Sequence, residues 1–341
     1  MTYLYPLNRP VAPANSHEAI GIELEIEGRN LPNERDINIG KKFWTTHRDG
    51  SLRGENFEYI LDKPIKAEEI SEAIARVYSA FAKRASALTL SNRCSTHVHY
   101  NIGGTKINEV TCMIVLWTTF EKALVDYCGD LRKTNHFCLS SFDSPDVVEG
   151  WATALDTGYF TFPEEQYKYA SLNLATIRKF GSLEVRTMRA SEAPQEIIDW
   201  TKFIYALFEY AKRIEDPVNI AGMVSADGPL SMFQDIYNLS GASPAFYREV
   251  VKDVDTFVFD CLQSFRNAQR LCFDFDWAKM LPLTKEKYIE NPFAKETAPR
   301  RRREVPPPVA MEAIRVARVQ EIPIWATRAP EREDDAQDLP L

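Results

Sequence analysis

The segment Gly21-Ile22-Glu23-Leu24-Glu25-Ile26-Glu27-Gly28 constrains the fold more than any other part of the chain. Apolar and acidic residues alternate, so an extended backbone sends Ile22, Leu24 and Ile26 to one face and Glu23, Glu25 and Glu27 to the other. The apolar row needs a hydrophobic layer against it. The acidic row crowds like charges, which raise one another's pKa unless water or a cation relieves them. A solvated outer face and a cation-binding face fit this stretch equally well.

Three later segments repeat the arrangement. After the Asp49-Gly50-Ser51 turn, Asn56 to Leu61 puts Phe57 and Tyr59 on one side and Glu58 on the other. Thr96 to Tyr100 directs His97 and His99 to a shared face, with Val98 and Tyr100 opposite, a geometry suited to a metal or a phosphate. In Ser182 to Thr187, Glu184 and Arg186 share a face, as a metal-binding carboxylate beside a guanidinium suited to phosphate or carboxylate would. Each has an ordinary explanation: the exposed acid of a hairpin, a hydrogen-bonded histidine pair, an ion pair of little worth. Four strands that each set acid, imidazole or guanidinium opposite their apolar residues describe something more specific. One sheet with such a face would form the floor of a polyanion and metal site.

Between the strands, helical spacing runs through Ala67 to Ala85, Asn108 to Cys128 with Gly129 as its terminator, Pro194 to Ile214 and Ala245 to Arg270. Single strands separated by long helices predict an α+β fold with strands paired antiparallel. Residues 1–292 read as one domain. Residues 293–341 form a tail, with the basic run Arg300 to Arg303, the prolines Pro306 to Pro308, the short apolar Ile322 to Trp325 and the charged Glu331 to Asp335.

The order of these motifs resembles the phage and bacterial amidoligase family, carboxylate–amine ligases related in their core to glutamine synthetase and glutamate–cysteine ligase. Its pattern runs from an acidic Gly-φ-Glu-φ-Glu strand (φ apolar) through Asp-Gly-Ser and a strand Glu to Thr-His-φ-His, Asn-Leu and a late Glu-φ-Arg. Here these are Gly21 to Glu25, Asp49 to Ser51 with Glu58, Thr96 to His99, Asn173-Leu174, and Glu184 to Arg186. Arg132 to Cys138 is similar to the family's Arg-containing stretch before an aromatic-Cys pair. The family often follows its last strand with Gly-Thr, where this chain has Arg189-Ala190-Ser191.

The resemblance implies an antiparallel sheet whose polar concave face holds ATP and Mg²⁺ or Mn²⁺, flanked by helices. It implies a reaction in which a substrate carboxylate takes the γ-phosphate of ATP and an amine then displaces phosphate to leave an amide. By the same resemblance Glu23, Glu25, Glu58, His97, His99 and Glu184 would be metal ligands, and Arg186 a clamp on phosphate charge, with Glu25 and His97 beside it in catalysis. Arg132, Asn173 and Arg189 would contact ATP or substrate. The partners would be small-molecule or peptide carboxylates and amines, in the cytoplasm of a bacterium or a phage-infected cell.

Other classes fit less well. The formal net charge of −8 argues against a nucleic-acid-wrapping protein. The six cysteines show no Cys-x-x-Cys pair and most sit among apolar neighbours, as reduced thiols in a cytoplasm do. Neither a signal segment nor an apolar run long enough to span a membrane is expected. A metal-dependent hydrolase built on His97-x-His99 would want further histidines downstream, yet none follows His136. A P-loop NTPase would need a Gly-x-x-x-x-Gly-Lys-Ser/Thr motif, which is missing. A catalytically inactive or virion-associated binding protein that keeps the fold is the remaining alternative.

Overall fold

The computed structural model describes residues 20–157, 165–214 and 216–273. Its strands are β1 Ile20–Arg29, β2 Trp44–His47, β3 Glu55–Leu61, β4 Ala87–Thr89, β5 Ser95–Asn101, β6 Leu172–Asn173 and β7 Ser182–Arg189. They join in one sheet of order β2-β3-β1-β5-β7-β6, with β4 pairing the end of β1, and every pairing is antiparallel. Gly28 permits the β4 pairing: a Cβ there would lie 2.5 Å from the Ala87 carbonyl oxygen.

The helices are α1 Glu34–Ile37, α2 Ile70–Arg84, α3 Ile107–Cys128, α4 Pro145–Thr157, α5 Glu165–Lys168, α6 Thr176–Phe180, α7 Pro194–Ala211, α8 Pro217–Ala226, α9 Gly228–Ser240, α10 Pro244–Val250 and α11 Val254–Phe273. Helices α2, α3 and α7 meet the apolar side of the sheet and one another. Trp44 donates its ring N–H to the Ala73 carbonyl at 3.0 Å, Tyr59 meets Phe81 edge to face, Tyr100 meets Phe208, and Trp117 meets Trp200. Ile22, Leu24 and Ile26 are all but sealed beneath this layer. At about 1.5–3 kcal/mol per buried aliphatic side chain, that row alone contributes about 4.5–9 kcal/mol toward folding. Helices α8, α9 and α11 pack behind α3.

Helix ends follow the sequence. Gly129 closes α3 at φ 84, and Pro194 opens α7, where its missing N–H costs nothing. Buried Glu121 of α3 ties in the loops that run to β6: it accepts from the Ser141 amide and from the hydroxyls of Ser141 and Ser171. Burial pushes its carboxyl pKa up despite these donors.

The α+β class and the antiparallel sheet with helices on one side agree with the sequence reading. One expectation needs correction. The helix read from Ala245 to Arg270 is two helices, α10 and α11, because Asp253 stops the run by accepting the Thr256 amide at 2.7 Å as an N-cap. Of the two readings left open for the acidic row of β1, the open solvated face does not fit, since Glu25 and Glu27 are 9% and 4% exposed. The domain boundary drawn at 292, the tail 293–341 and its apolar stretch Ile322 to Trp325 lie outside the described residues. All six cysteines are buried free thiols. Among the described residues no helix is long and apolar enough to cross a membrane.

Candidate functional site

On the side of the sheet away from α2, α3 and α7, the registers bring the polar residues of four strands together. Glu25 of β1 lies directly opposite Glu58 of β3, Glu23 opposite His97 of β5, and Gly21 opposite His99, which in turn faces Glu184 of β7. Asn173 of β6 completes that row beside Glu184. Gly21 makes room for the imidazole, because a Cβ there would sit 3.1 Å from the Cβ of His99.

His97 ties the cluster together. Its Nδ1 lies 3.1 Å from Glu23 Oε2 and 3.3 Å from Glu184 Oε1, and its Nε2 lies 2.8 Å from the Ser95 hydroxyl, which itself donates to Glu25. With both nitrogens engaged and 1% of its surface exposed, His97 is an organiser of carboxylates. His99 is different. Its Nδ1 meets the Ser182 hydroxyl at 3.1 Å, while Nε2 points between Glu23 Oε1 at 3.1 Å and Glu184 Oε1 at 3.8 Å. Those separations are ion-pair distances, and among the described residues no group lies in line to hydrogen-bond this buried Nε2. Phe180, at the end of α6, stands edge-on to the ring.

The electrostatics divide the face in two. Burial works against the charged form of Glu23, but His99 and His97 outweigh it and hold the carboxyl well below its ordinary pKa. Glu184 is lowered for the same reason, with Arg186 the strongest of the opposing charges and His99 and His97 adding to it. Burial also opposes the charged form of His99, yet Glu23 and Glu184 raise its pKa. Glu58 goes the other way. Burial and the charges of Glu23, Glu25 and Asp49 push it up to about 7.

Arg186 forms an ion pair with Glu184 and donates through Nε to the Phe137 carbonyl at 3.4 Å. Asn173 donates to the other Glu184 oxygen at 2.6 Å, so it orients that carboxylate. The Asp49 turn is sewn to the edge of the face: Asp49 accepts the Ser51 amide at 2.7 Å, and the Arg53 amide donates to Glu27 at 2.8 Å. Arg93 stacks on Phe137 and donates to the Ser51 carbonyl.

The structure therefore gathers Glu23, Glu25, Glu58, His97, His99, Glu184, Arg186 and Asn173 on one face. It does not bring Arg132 and Arg189 to the cluster. Arg132 is buried with its guanidinium on main-chain carbonyls, and Arg189 pairs with Glu196 at 2.7 Å and donates to the Tyr127 carbonyl at 2.9 Å. Sequence reasoning missed Ser95 and Ser182, the hydroxyls that hold the two histidines. A serine two residues before a strand histidine, or diagonal to one on the next strand, carries no periodic signal, so only the register exposes them.

The donor set suits a divalent cation. One ligand atom each from Glu23, His99 and Glu184 can be chosen so that all lie within 4.8 Å of one another. Carboxylate oxygens are the donors Mg²⁺ prefers, and an imidazole beside them also suits Mn²⁺. Compared with known proteins, the chain matches no family model and no curated protein.

Proposed function

We propose that the chain is an ATP-dependent carboxylate–amine ligase with a glutamine synthetase-like core, of the amidoligase kind. The observation that carries this reading is the convergence of Glu23, His99 and Glu184 on one polar sheet face, with Arg186 at their edge. Phosphoryl transfer asks a protein for positioning and charge neutralisation more than for a covalent nucleophile, and this face offers both. The motif order of the sequence adds the class of reaction.

In this reading Glu23, Glu184 and His99 hold Mg²⁺ or Mn²⁺, with Glu25 and Glu58 as further carboxylates beside them. The bound cation supplies neutralisation of phosphate charge. His97 and Ser95 keep the carboxylates in place, and Asn173 fixes the rotation of Glu184. Arg186 exchanges part of its pairing with Glu184 for an anionic oxygen of the nucleotide. The substrate carboxylate oxygen attacks the γ-phosphorus and ADP departs. The amine nitrogen then attacks the acyl carbon, phosphate departs, and the amine proton passes to solvent. The partners are small-molecule or peptide carboxylates and amines.

The test is incubation with ATP, Mg²⁺ and pooled acids and amines, followed by mass spectrometry for ADP and for condensation products. ADP and a new amide that both vanish in Glu184→Gln support the proposal. A metal centre of one imidazole and two carboxylates also fits a hydrolase. ATP-independent hydrolysis of amides or esters by the same protein would favour that second reading.

A further inference from the structure

The pairing of β5 with β7 slips in the middle of the site. Thr96 faces Met188 and Val98 faces Val185, so two residues, Arg186 and Thr187, stand opposite His97 alone. This is a β-bulge, and a bulge deprives main-chain groups of their cross-strand partners. Buried groups of that kind must be satisfied elsewhere.

The main-chain groups at the bulge are held from two directions. On the far edge of β7 the Arg186 amide continues the β6 ladder, donating to the Ser171 carbonyl at 2.9 Å. The carbonyls of Arg186 and Thr187 both accept from one side chain, Arg132, through Nη2 at 2.6 Å and Nε at 3.0 Å. Arg132 also approaches the Asn92 carbonyl through Nη1 at 3.5 Å. It is delivered by the tight loop that leaves α3 at Gly129, whose carbonyl accepts the Arg132 amide at 2.9 Å.

Arg132 is 1% exposed, and among the described residues no carboxylate pairs with it. Burying a guanidinium without a counter-charge is costly, and a neutral side chain of similar volume would avoid the cost. What a neutral side chain lacks is the planar fork, which holds two successive carbonyls in one fixed relation. The residue whose carbonyl it grips most closely is Arg186, the guanidinium at the edge of the acidic cluster.

We propose that Arg132 is a positioning residue: by clamping both carbonyls of the β7 bulge it fixes the backbone from which Arg186 reaches Glu184, and so sets the balance between cation and anion at the site. The clamp is independent of the ligase reading, whereas its consequence for ligands rests on it. With Arg132 in place, Arg186 occupies Glu184 and stands ready for a phosphate oxygen. Without it, Arg186 loses its aim, Glu184 is freer to take a cation, and an anion has less to bind.

The experiment compares the parent with Arg132→Lys, Arg132→Met, Arg186→Gln and the Arg132→Met/Arg186→Gln pair. The direct readout is the Arg186 Nε–H resonance, which the bond to Phe137 shields in the parent. We expect its exchange with solvent to accelerate at least about tenfold in Arg132→Met and less in Arg132→Lys, with the Leu183 and Val185 amides unchanged. The ligand readout is binding of Mn²⁺ alone and of a non-hydrolysable ATP analogue with Mn²⁺. Arg132→Met should bind Mn²⁺ several-fold more tightly and the analogue about tenfold more weakly, matching Arg186→Gln, and the pair should add nothing to Arg186→Gln. An Arg186 Nε–H that exchanges as in the parent overturns the proposal, as do losses that add in the pair. If Arg132→Met fails to fold, Arg132→Lys decides by the same two criteria. A parent that binds neither Mn²⁺ nor the analogue sinks the ligase reading instead, and the resonance alone then decides the positioning role.

Discussion

Replacing Glu58 with Gln should stabilise the metal-free protein above neutral pH. In the parent, burial and the neighbouring charges of Glu23, Glu25 and Asp49 push the Glu58 carboxyl from 4.5 up to about 7. At 1.36 kcal/mol per pH unit, a gap of about 2.5 has a ceiling of about 3.4 kcal/mol. Glu58 is only half-buried, so solvent screening brings this to about 1–2 kcal/mol. The folded pKa lies above the unfolded one, so the folded chain binds the extra proton in between. This contribution to stability is therefore full below pH 4.5 and is lost as the pH rises through about 7. Gln has no charge to lose. Thermal unfolding in a chelating buffer at about pH 8 should show Glu58→Gln melting roughly 2–8 °C above the parent, at roughly 2–4 °C per kcal/mol, and the two should coincide near pH 4. Mn²⁺ at about 100 times its Kd should then raise the parent by about 2.7 kcal/mol and the variant by less, since the variant brings one carboxylate fewer to the cation. A variant that melts no higher than the parent at pH 8 without metal would refute the crowding argument.

Four further outcomes follow from the same geometry. Glu23→Gln and Glu184→Gln should each remove Mn²⁺ binding seen by calorimetry, and ATP-dependent amide formation with it, while the far-ultraviolet dichroism stays that of the parent. Gly21→Ala should displace His99 and weaken Mn²⁺ binding by about 10–100-fold, the range typical of disturbing a ligand's support; parent-like affinity would show that His99 is not held by that space. Mn²⁺ binding near pH 6.5 should release a proton from His99, whose pKa is raised, so affinity falls as the pH drops; calorimetry in buffers of different ionisation enthalpy counts that proton, and a count of zero removes His99 as a ligand. Truncation after residue 295 should leave a folded, active domain, and a lower melting temperature in that protein would assign the removed segment a packing role.

Much of the site was legible because alternation is a local property. Glu23 and Glu25, His97 and His99, and Glu184 and Arg186 are each two residues apart, and a strand puts such residues on one face whatever it pairs with. Which of them meet is a matter of register, and register lies in the pairing of distant segments. The contrast between His97 and His99 therefore had no signature in Thr96 to Tyr100: it comes from Ser95 and Glu25 on one side and from Ser182 on the other. Arg132 was misplaced for a related reason. The resemblance of Arg132 to Cys138 to a family stretch implied a ligand contact, whereas the Arg186 and Thr187 carbonyls that take its guanidinium come together only in the fold. The break between α10 and α11 was missed because the apolar spacing continues across it, although Asp253 was present as a capping residue.

The opposite shifts of Glu23 and Glu58 carry the last step. Both lie on the same polar face, and both are subject to burial that would neutralise them. Glu23 escapes because His97 and His99 stand across from it on β5, and Glu184 escapes because Arg186 joins them. Toward β3 the compensation is thinner: Glu25 faces Glu58 and reaches His97 Nε2 only at 3.5 Å, the Ser95 hydroxyl that donates to Glu25 is shared with His97, and the imidazole across from Glu58, His47, is exposed. Negative charge is therefore less compensated toward β3, where Glu58 is pushed up, than on the β1–β5–β7 side, where imidazole and guanidinium lower Glu23 and Glu184. A cation at Glu23, His99 and Glu184 must outcompete the imidazole and guanidinium charge already there, which couples its binding to the proton on His99 and to the pairing of Arg186 with Glu184. In the ligase reading the guanidinium edge suits anionic oxygens, and Glu25 and Glu58 stand as further carboxylates beside the cation held by Glu23, His99 and Glu184.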